Sequence, residues 1–550
     1  MNACKVTRIL ICIVFTTNVF AREIGFMAKS KEAKGQMSLG FEEENFCYDP
    51  MKVRMDVRGR KTLTSVEEEL LRLSELEAFA PVEVWTAMGT NKQLAYSTHG
   101  LFRYFGKFPP PVATYLMDQY TVQGDVVFDP MSGSGTTGVE ALLKKRRCIL
   151  NDVSPLSVLL ASVKTTALDE CVLTNVLNGI VRSYKPLTVS EYNFEPSTLR
   201  NHEHWFLPET ENSLRGIKKL VEEIQDEDVK RFFRVCFLSV VRRVSRATTQ
   251  QGRLFLDAET AEADALPFFQ KKTIENIKAV AALPKDKDFK PEVYSMDLRA
   301  GIPTNAVGNA SLIICHPPYF NSYKYSSINS LELAWMGEEY AQLRKSEVRE
   351  FFKVGKEENA DVYVNDIVSV LLNLKPALKK NAVLALMIGD TIIHGNYIPC
   401  TKRILEKAAK DYDVRKVVMR APKYTEASWA ASQRRSGGQV GVTLYDFIIL
   451  LTPKGVQLDS HTSRENTSSK DCEPVKAKTH SAEYLLHKYW ARKPHNVVSE
   501  MIKRYSPENG VVVDPCCGSG VVVYEAKKMG RTAYGFDVTT IPCLIFADVT

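Results

Sequence analysis

The chain has 550 residues, of which 45% are hydrophobic. This composition is normal for a soluble globular protein, and the length is too great for one ordinary hydrophobic core. The formal net charge of +7 is compatible with a polyanionic partner but does not prove one. The 12 cysteines are scattered without a CxxC pair or a His/Cys ligand spacing. We therefore expect reduced thiols and no metal site.

From about residue 95, short apolar runs alternate with helical segments. These runs are residues 126–128, 148–150, 294–296, 311–315, 382–388 and 445–451. Buried apolar strands separated by helices predict a parallel or mixed sheet with helices on both faces. A long insertion at 165–290 is predicted to be helical, because five apolar residues fall on one helical face. They are Leu214, Ile217, Leu220, Val221 and Ile224.

After a polar linker, the chain repeats itself without gaps at an offset of 385 residues. The motif Asp-Pro-x-x-Gly-Ser-Gly begins at Asp129 and again at Asp514, and Asp152 recurs as Asp537. Such a repeat predicts a duplicated domain, of which the second copy is partial. The expected divisions are an N-terminal extension (1–90), a sheet domain (91–455), a linker (456–480) and a partial second copy (481–550).

The repeated motif is a glycine-rich turn between a strand and a helix that begins at Thr136. Gly133 and Gly135 allow a tight turn and a close approach of the backbone to a ligand. Asp152 ends the next strand, where a carboxylate can accept hydrogen bonds from both ribose hydroxyls. A dinucleotide enzyme or a plain tight turn could also carry such glycines. The Asp129-Pro130 prefix, the spacing of the acid and the repetition favour a nucleoside-type cofactor.

A second chemical signal, His316-Pro317-Pro318-Tyr319, follows the apolar run 311–315. Two prolines stiffen the backbone and remove two amide donors. An exocyclic amine of a base offers two N–H donors, which the side chain at 316 and the carbonyl of Pro317 could accept. Tyr319 could stack on a base taken out of its helix. The alternative is a rigid exit from the strand with a packed tyrosine.

At these residues the chain resembles the amino-directed DNA methyltransferases, which modify N4 of cytosine or N6 of adenine. The resemblance covers 95–455 in full and 484–550 in part, and implies a Rossmann-like α/β sheet that binds S-adenosyl-L-methionine. Residues 104–109 loosely match the family's aromatic-Lys-Pro motif. The implied cofactor-binding residues are Lys107, Asp129, Pro130, Gly133, Gly135, Thr136, Asp152 and Asp297. The implied catalytic residues are His316, Pro317, Pro318 and Tyr319.

His316 departs from the family, which has Asp, Asn or Ser at this position. A neutral imidazole can accept a hydrogen bond and an imidazolium cannot, so activity should fall as the pH drops through the histidine pKa, ordinarily near 6.5. An uncharged acceptor is nearer to Ser than to Asp, which favours cytosine slightly. An RNA base methyltransferase shares both motifs. An inactive relic that binds cofactor or DNA is a further alternative.

The resemblance implies double-stranded DNA as a partner, and also a restriction endonuclease. Two basic runs, 242–246 and 433–438, could meet phosphates, or could be solvated basic faces. The insertion 165–290, with 420–440, is expected to recognise the target sequence. Lys5 and Arg8 before the apolar run 9–15 resemble a short secretory signal. We favour an upstream start codon with initiation at Met27, and expect a cytoplasmic protein without a membrane partner.

Overall fold

The computed structural model describes residues 75–85, 93–196, 199, 201–247, 254–256, 262–320, 325–348, 357–393, 396–420, 441–456, 494–518 and 520–536. The run 9–15, Met27, the basic run 433–438, Asp537 and nearly all of the linker lie outside these residues. The chain divides into two compact units, Phe46–Arg464 and Met1–Asn45 with Glu465–Thr550. None of the described helices combines the length and apolar character needed to cross a bilayer.

The larger unit is built on one mixed sheet. Its strands are β1 (Val82–Trp85), β2 (Val126–Asp129), β3 (Arg147–Asn151), β4 (Glu292–Tyr294), β5 (Ala310–Cys315), β6 (Leu378–Ile393), β7 (Asn396–Ile398), β8 (Tyr412–Arg420) and β9 (Gly441–Pro453). The spatial order is β1-β8-β9-β6-β5-β2-β3-β4, and β7 pairs with β6. Strand β9 pairs antiparallel with β6 and β8, and β7 pairs antiparallel with β6; the other described pairs in this sheet are parallel.

The order of the strands reverses between β2 and β5. From β2 the chain passes to β3 and β4 on one side, and it returns to β5 on the other side. In open α/β sheets, ligands bind at the carboxyl ends of the strands beside such a switch point. The fold is thus a Rossmann-like α/β sheet whose switch point lies where the sequence places both chemical motifs.

The larger unit contains thirteen described α-helices, and helices cover both faces of its sheet. They are α1 (Pro110–Tyr120), α2 (Thr136–Leu143), α3 (Pro155–Lys164), α4 (Glu170–Ser183), α5 (His202–Trp205), α6 (Pro208–Glu222), α7 (Glu227–Val244), α8 (Leu266–Ala281), α9 (Tyr325–Ile328), α10 (Ser330–Met336), α11 (Tyr340–Ser346), α12 (Glu358–Leu374) and α13 (Cys400–Ala408). Successive residues of β5 point to opposite faces: Leu312 and Ile314 pack in the cluster that contains α1, and Ile313 and Cys315 in the one that contains α12.

The insertion is helical, as the sequence predicts, and α4, α6, α7 and α8 form a hydrophobic cluster that also includes Leu156, Leu160 and Val163 of α3. On α6, Leu214, Ile217 and Val221 are buried, which accords with the predicted apolar face. This cluster extends to α10, where Trp335 is fully buried among the phenylalanines of the insertion.

The sheet begins earlier in the chain than the sequence suggests. Strand β1 pairs with β8 in parallel, and Leu76 and Ala80 before it belong to the core, so these residues join the sheet domain rather than the extension 1–90. A four-residue run has too little periodicity to mark a strand. The strand expected at 294–296 lies two residues earlier, at Glu292–Tyr294. Strand β8 was not expected, because Asp413, Arg415 and Lys416 interrupt its apolar pattern.

The C-terminal unit reproduces part of the first sheet. It contains α14 (His495–Tyr505), β10 (Val511–Asp514), α15 (Val521–Lys528) and β11 (Thr532–Gly535). The first three elements begin and end 385 residues after α1, β2 and α2. Val511 pairs with Thr532 as Val126 pairs with Arg147. The duplication seen in the sequence is therefore a duplication of backbone structure and strand register.

Candidate active site

A solvent-open cavity lies at the carboxyl ends of β2, β3, β4 and β5. Eight of the residues predicted from the sequence line the cavity: Lys107, Pro130, Gly133, Thr136, Asp152, Asp297, His316 and Pro318. The remaining four, Asp129, Gly135, Pro317 and Tyr319, are absent from the lining.

The glycine loop and Asp152 form one hydrogen-bonded unit. Gly133 has a positive φ of 50°, and its amide donates to Oδ2 of Asp152 at 2.8 Å. The amide of Ser154 donates to Oδ1 at 2.9 Å. Burial raises the pKa of Asp152, and these two amide hydrogen bonds oppose the shift. The carboxylate is therefore held in place at the cavity wall before any ligand binds.

Two hydroxyl groups of the loop have no hydrogen-bond partner in the described part of the chain. Oγ of Ser132 and Oγ1 of Thr136 are buried and unpaired, although both residues line the cavity. Buried polar atoms are nearly always hydrogen-bonded in native proteins. These two oxygens, together with the Asp152 carboxylate, therefore fit a ligand rich in polar groups, such as a nucleoside.

Asp129 and Gly135 shape the loop from behind, which corrects the prediction that they contact the cofactor. Asp129 is buried, and it accepts hydrogen bonds from the amide of Met131 at 3.2 Å and from Oγ1 of Thr137 at 2.5 Å. Burial raises its pKa to about 7. Gly135 has a φ of 78°, and a Cβ there would lie 2.8 Å from Cα of Ala161. Its position is thus fixed by the close approach of α3.

Lys107 lines the cavity above a buried polar network. Its Nζ donates to the carbonyl oxygen of His99 at 3.0 Å. Nε2 of His99 lies 2.8 Å from Oε1 of Glu140, which also accepts from the hydroxyl of Tyr96 at 2.6 Å. Burial lowers the pKa of His99 to about 4, so the ring is neutral and Nε2–H donates. The network holds the segment that carries the lysine.

Asp297 lies at the cavity wall beyond β4, in a two-point ion pair. Arg299 donates to its two oxygens through Nε at 3.0 Å and through a terminal nitrogen at 2.7 Å. These hydrogen bonds lower the pKa of Asp297. Arg299 also donates to the carbonyl of Ser346 at 3.2 Å. The pair therefore connects the end of β4 with the end of α11.

His316 directly follows β5 and presents a half-buried ring to the cavity. Burial lowers its pKa to about 4; the nearby carboxylate of Asp446 opposes the shift, and the Arg420 guanidinium adds to it. The ring is therefore neutral at pH 7. The rings of Phe108 and His316 pack nearly perpendicular to each other, with a centroid distance of 5.3 Å. A neutral ring keeps one nitrogen as a hydrogen-bond acceptor.

Tyr319 packs into the sheet behind the cavity, which differs from the expected stacking position. Its ring lies against Gly389 of β6, and its hydroxyl donates to Oδ2 of Asp446 at 3.0 Å. Pro317 is buried, and the carbonyl of Pro318 accepts a hydrogen bond from Tyr363 at 2.7 Å. The carboxylate acceptor and the space over the glycine explain why the tyrosine turns inward.

Sequence reasoning missed Arg420 and Asp446, which form a buried ion pair behind His316. The available signal was a single acid in the otherwise apolar run 445–451. In the basic run 242–246, Arg243 is exposed and Arg246 is partly exposed, but Arg242 is not a surface residue. Arg242 is only 8% exposed, its guanidinium lies 5.3 Å from the ring centroid of Phe105, and it donates to the carbonyl of Ile328. It is a core residue and is not available to a phosphate.

A family model described as a DNA methylase of the N6/N4 type matches residues 21–161 and 310–541, which is more than half of the chain. The chain belongs to the N6/N4 DNA methylase family. The unmatched stretch between the two segments contains the helices of the insertion. Both glycine loops, at 129–135 and 514–520, lie within the matched segments.

Individual relatives resemble parts of this family member. The type II methyltransferase M.MvaI of Kocuria varians is 24% identical over 281 residues, 44% of this chain and 58% of the relative. M.MjaII of Methanocaldococcus jannaschii is 26% identical over 174 residues, 30% and 33% of the two chains. The chain thus spans less than two thirds of each relative. The solved PvuII DNA methyltransferase (cytosine-N4-specific) is 14% identical, covering 36% of this chain and 76% of that one, with a TM-score of 0.18. That score is too low for a residue-by-residue comparison of backbones.

Proposed function

We propose that this family member transfers a methyl group from S-adenosyl-L-methionine to the exocyclic amine of a base in double-stranded DNA. The target proposed is N4 of cytosine rather than N6 of adenine. One observation carries the proposal: a neutral acceptor, His316, lies in the same cavity as Asp152 and its glycine loop. A binding group for a nucleoside and an acceptor for an amine thus share one space.

The chain's own residues fit this cofactor. Asp152 would accept hydrogen bonds from the ribose hydroxyls, and the unpaired hydroxyls of Ser132 and Thr136 would take further polar groups. Lys107 would lie near the carboxylate of the cofactor, and Asp297 near its adenine ring. When bound, this cofactor supplies a methyl group already activated on a positively charged sulfur. The protein therefore mainly has to position and orient the cofactor and the target amine.

The role proposed for His316 is to accept one N–H of the target amine. That hydrogen bond directs the nitrogen lone pair away from the ring and toward the cofactor side of the cavity. The amine exchanges one N–H proton for the methyl group, and the neutral imidazole is an acceptor for the departing proton. A charged imidazolium could do neither. The uncharged acceptor is the reason for favouring cytosine, since serine at this position suggests cytosine and aspartate suggests adenine.

The test is methyl transfer from labelled S-adenosyl-L-methionine to duplex DNA and, separately, to RNA. The methylated nucleosides are then identified by mass spectrometry. We expect N4-methylcytosine from DNA. N6-methyladenine would support methyl transfer to DNA but contradict cytosine as the target base. Label in RNA alone would favour the RNA enzyme. Cofactor binding without methyl transfer to DNA or RNA would identify the chain as an inactive relic that binds the cofactor.

A further inference from the structure

Three polar side chains form a continuous series behind His316. Nε2 of the histidine lies 3.1 Å from the hydroxyl of Tyr319. That hydroxyl donates to Oδ2 of Asp446 at 3.0 Å, and Nε of Arg420 donates to Oδ1 of the same carboxylate at 2.8 Å. Arg420 and Asp446 are 4% and 6% exposed. The series therefore leads from the cavity into the interior of the sheet.

The sheet itself fixes the members of this series. Asp446 of β9 is the direct cross-strand neighbour of Arg420 on β8 and of Gly389 on β6. The ring of Tyr319 occupies the space that a side chain at Gly389 would fill. The tyrosine hydroxyl consequently reaches the carboxylate on the adjacent strand. None of these positions depends on a mobile surface side chain.

The number of protons in the series determines which nitrogen of His316 carries hydrogen. An Asp446 carboxylate paired with a guanidinium can only accept, so the single hydroxyl proton of Tyr319 is donated to it. The tyrosine oxygen must then accept a hydrogen bond from the histidine. A neutral ring has one N–H, which is therefore on Nε2, and its lone pair is on Nδ1.

We infer that Arg420, Asp446 and Tyr319 fix His316 as the Nε2–H tautomer, so that Nδ1 is the acceptor for the target amine. The inference rests on the proposed function for the identity of that amine. Tyr319 is then a positioning residue that acts through the histidine and not a stacking partner of the base. The same holds for Asp446, which accepts the tyrosine proton, and for Arg420, which donates to the carboxylate of Asp446.

The tautomer can be read directly from the ring nitrogens by NMR of enzyme labelled with ¹⁵N-histidine at pH 7. The chain has 9 histidines, and a His316→Ser variant assigns the signals. We expect Nε2 to carry the hydrogen and Nδ1 to show the shift of an unprotonated nitrogen. The spectrum requires neither cofactor nor DNA, so it tests the tautomer independently of methyl transfer.

Two variants test the series. Tyr319→Phe keeps the ring and removes the acceptor for Nε2–H, which favours the other tautomer. Asp446→Asn keeps the shape, but its amide presents N–H to the tyrosine oxygen while its carbonyl faces Arg420. Tyr319 then donates to Nε2 and the hydrogen moves to Nδ1. Each variant should lower kcat by roughly 10- to 100-fold with the KM for the cofactor little changed.

The matched control is Tyr412→Phe. This buried tyrosine of β8 donates to the carbonyl of Leu371, so the variant also loses a buried hydroxyl, away from the cavity. We expect its His316 spectrum and its kcat to be those of the wild type. Active wild type with hydrogen on Nδ1 would overturn the tautomer assignment alone. Wild type with hydrogen on Nε2 but no methyl transfer would overturn the proposed function and the acceptor role of Nδ1.

Discussion

Gly389 of β6 lies so close to Tyr319 that a Cβ atom on the glycine would be 2.7 Å from a carbon of the tyrosine ring. Real Cβ atoms do not approach other atoms this closely, so any side chain at 389 must displace the ring. The contact therefore sets the position of the tyrosine hydroxyl, which lies between His316 and Asp446.

Replacing Gly389 by alanine should lower methyl transfer without weakening cofactor binding. An inserted methyl group typically costs about 1–3 kcal/mol where packing is tight, and we expect kcat to fall roughly 10-fold or more because the Tyr319 hydroxyl moves away from its partners. Gly179→Ala is the control, because nothing lies within 4 Å of a Cβ there. Full activity of Gly389→Ala would show that the tyrosine position is unimportant.

The acid limb of the kcat profile should appear near pH 4, not near the ordinary histidine value of 6.5. Burial lowers the pKa of His316 to about 4, so the accepting neutral form is present above that pH and is lost as the pH falls through it. Activity should persist from pH 7 to about 5. His316→Ser should show no such limb. A midpoint near 6.5 in the wild type would contradict the lowered pKa of His316.

The same pKa shift affects stability, with a definite sign. Between about pH 6.5 and pH 4 the unfolded chain binds a proton that the folded His316 does not. The folded state should therefore lose stability as the pH falls through this window. Unfolding midpoints of the wild type and of His316→Ser, measured at pH 7 and pH 5, should diverge in that direction. Equal pH dependence in the two proteins would argue against the lowered pKa.

Asp152→Ala should weaken the binding of S-adenosyl-L-methionine by roughly 100-fold or more, because two hydrogen bonds to a charged group are lost. The loop also loses the acceptor for the amides of Gly133 and Ser154. Calorimetric titration measures the change. Asp118→Ala serves as control, since this exposed carboxylate pairs with Lys144 outside the cavity. Unchanged affinity of the Asp152 variant would remove the residue from the cofactor site.

Gly135→Ala should destabilise the fold more than Gly124→Ala. Both glycines have a positive φ, 78° and 87°, so both variants should lose about 1–2 kcal/mol from the strained backbone. Only at 135 would the new Cβ also meet Ala161, at 2.8 Å, which adds about 1–3 kcal/mol of overpacking. Denaturant midpoints compare the two. Equal losses of stability in the two variants would mean that α3 moves easily to accommodate a Cβ at position 135.

Local sequence patterns predicted the parts of the site that are built locally. The apolar run before Asp129 and the glycines after it specify a strand and a turn within a dozen residues, and the run 311–315 places His316 at a strand end. The direction of Tyr319 could not be predicted in this way. It depends on Asp446, 127 residues further along the chain, and on Gly389, whose missing side chain matters only once β6 lies beside β5.

The roles of Asp129 and Gly135 illustrate a second limit. Both fit the sequence motif of a cofactor loop. Asp129, however, accepts a hydrogen bond from the turn, and Gly135 leaves space for the close approach of α3. A motif records which residues a loop needs, without separating those that touch a ligand from those that shape the backbone. The hydrogen bonds of Asp129 and the packing of α3 against Gly135 distinguish the two groups.

The single hydroxyl proton of Tyr319 has an evolutionary consequence. An aspartate at position 316 would have no N–H to give to the tyrosine oxygen, and the tyrosine could donate to only one of two carboxylates. Two acids, at 316 and 446, would then compete for one proton in a buried setting. Across related chains, histidine at 316 should occur together with an acid at 446, and aspartate at 316 with a residue that is not acidic. Substitution at one of these positions should therefore be tolerated only after, or together with, substitution at the other.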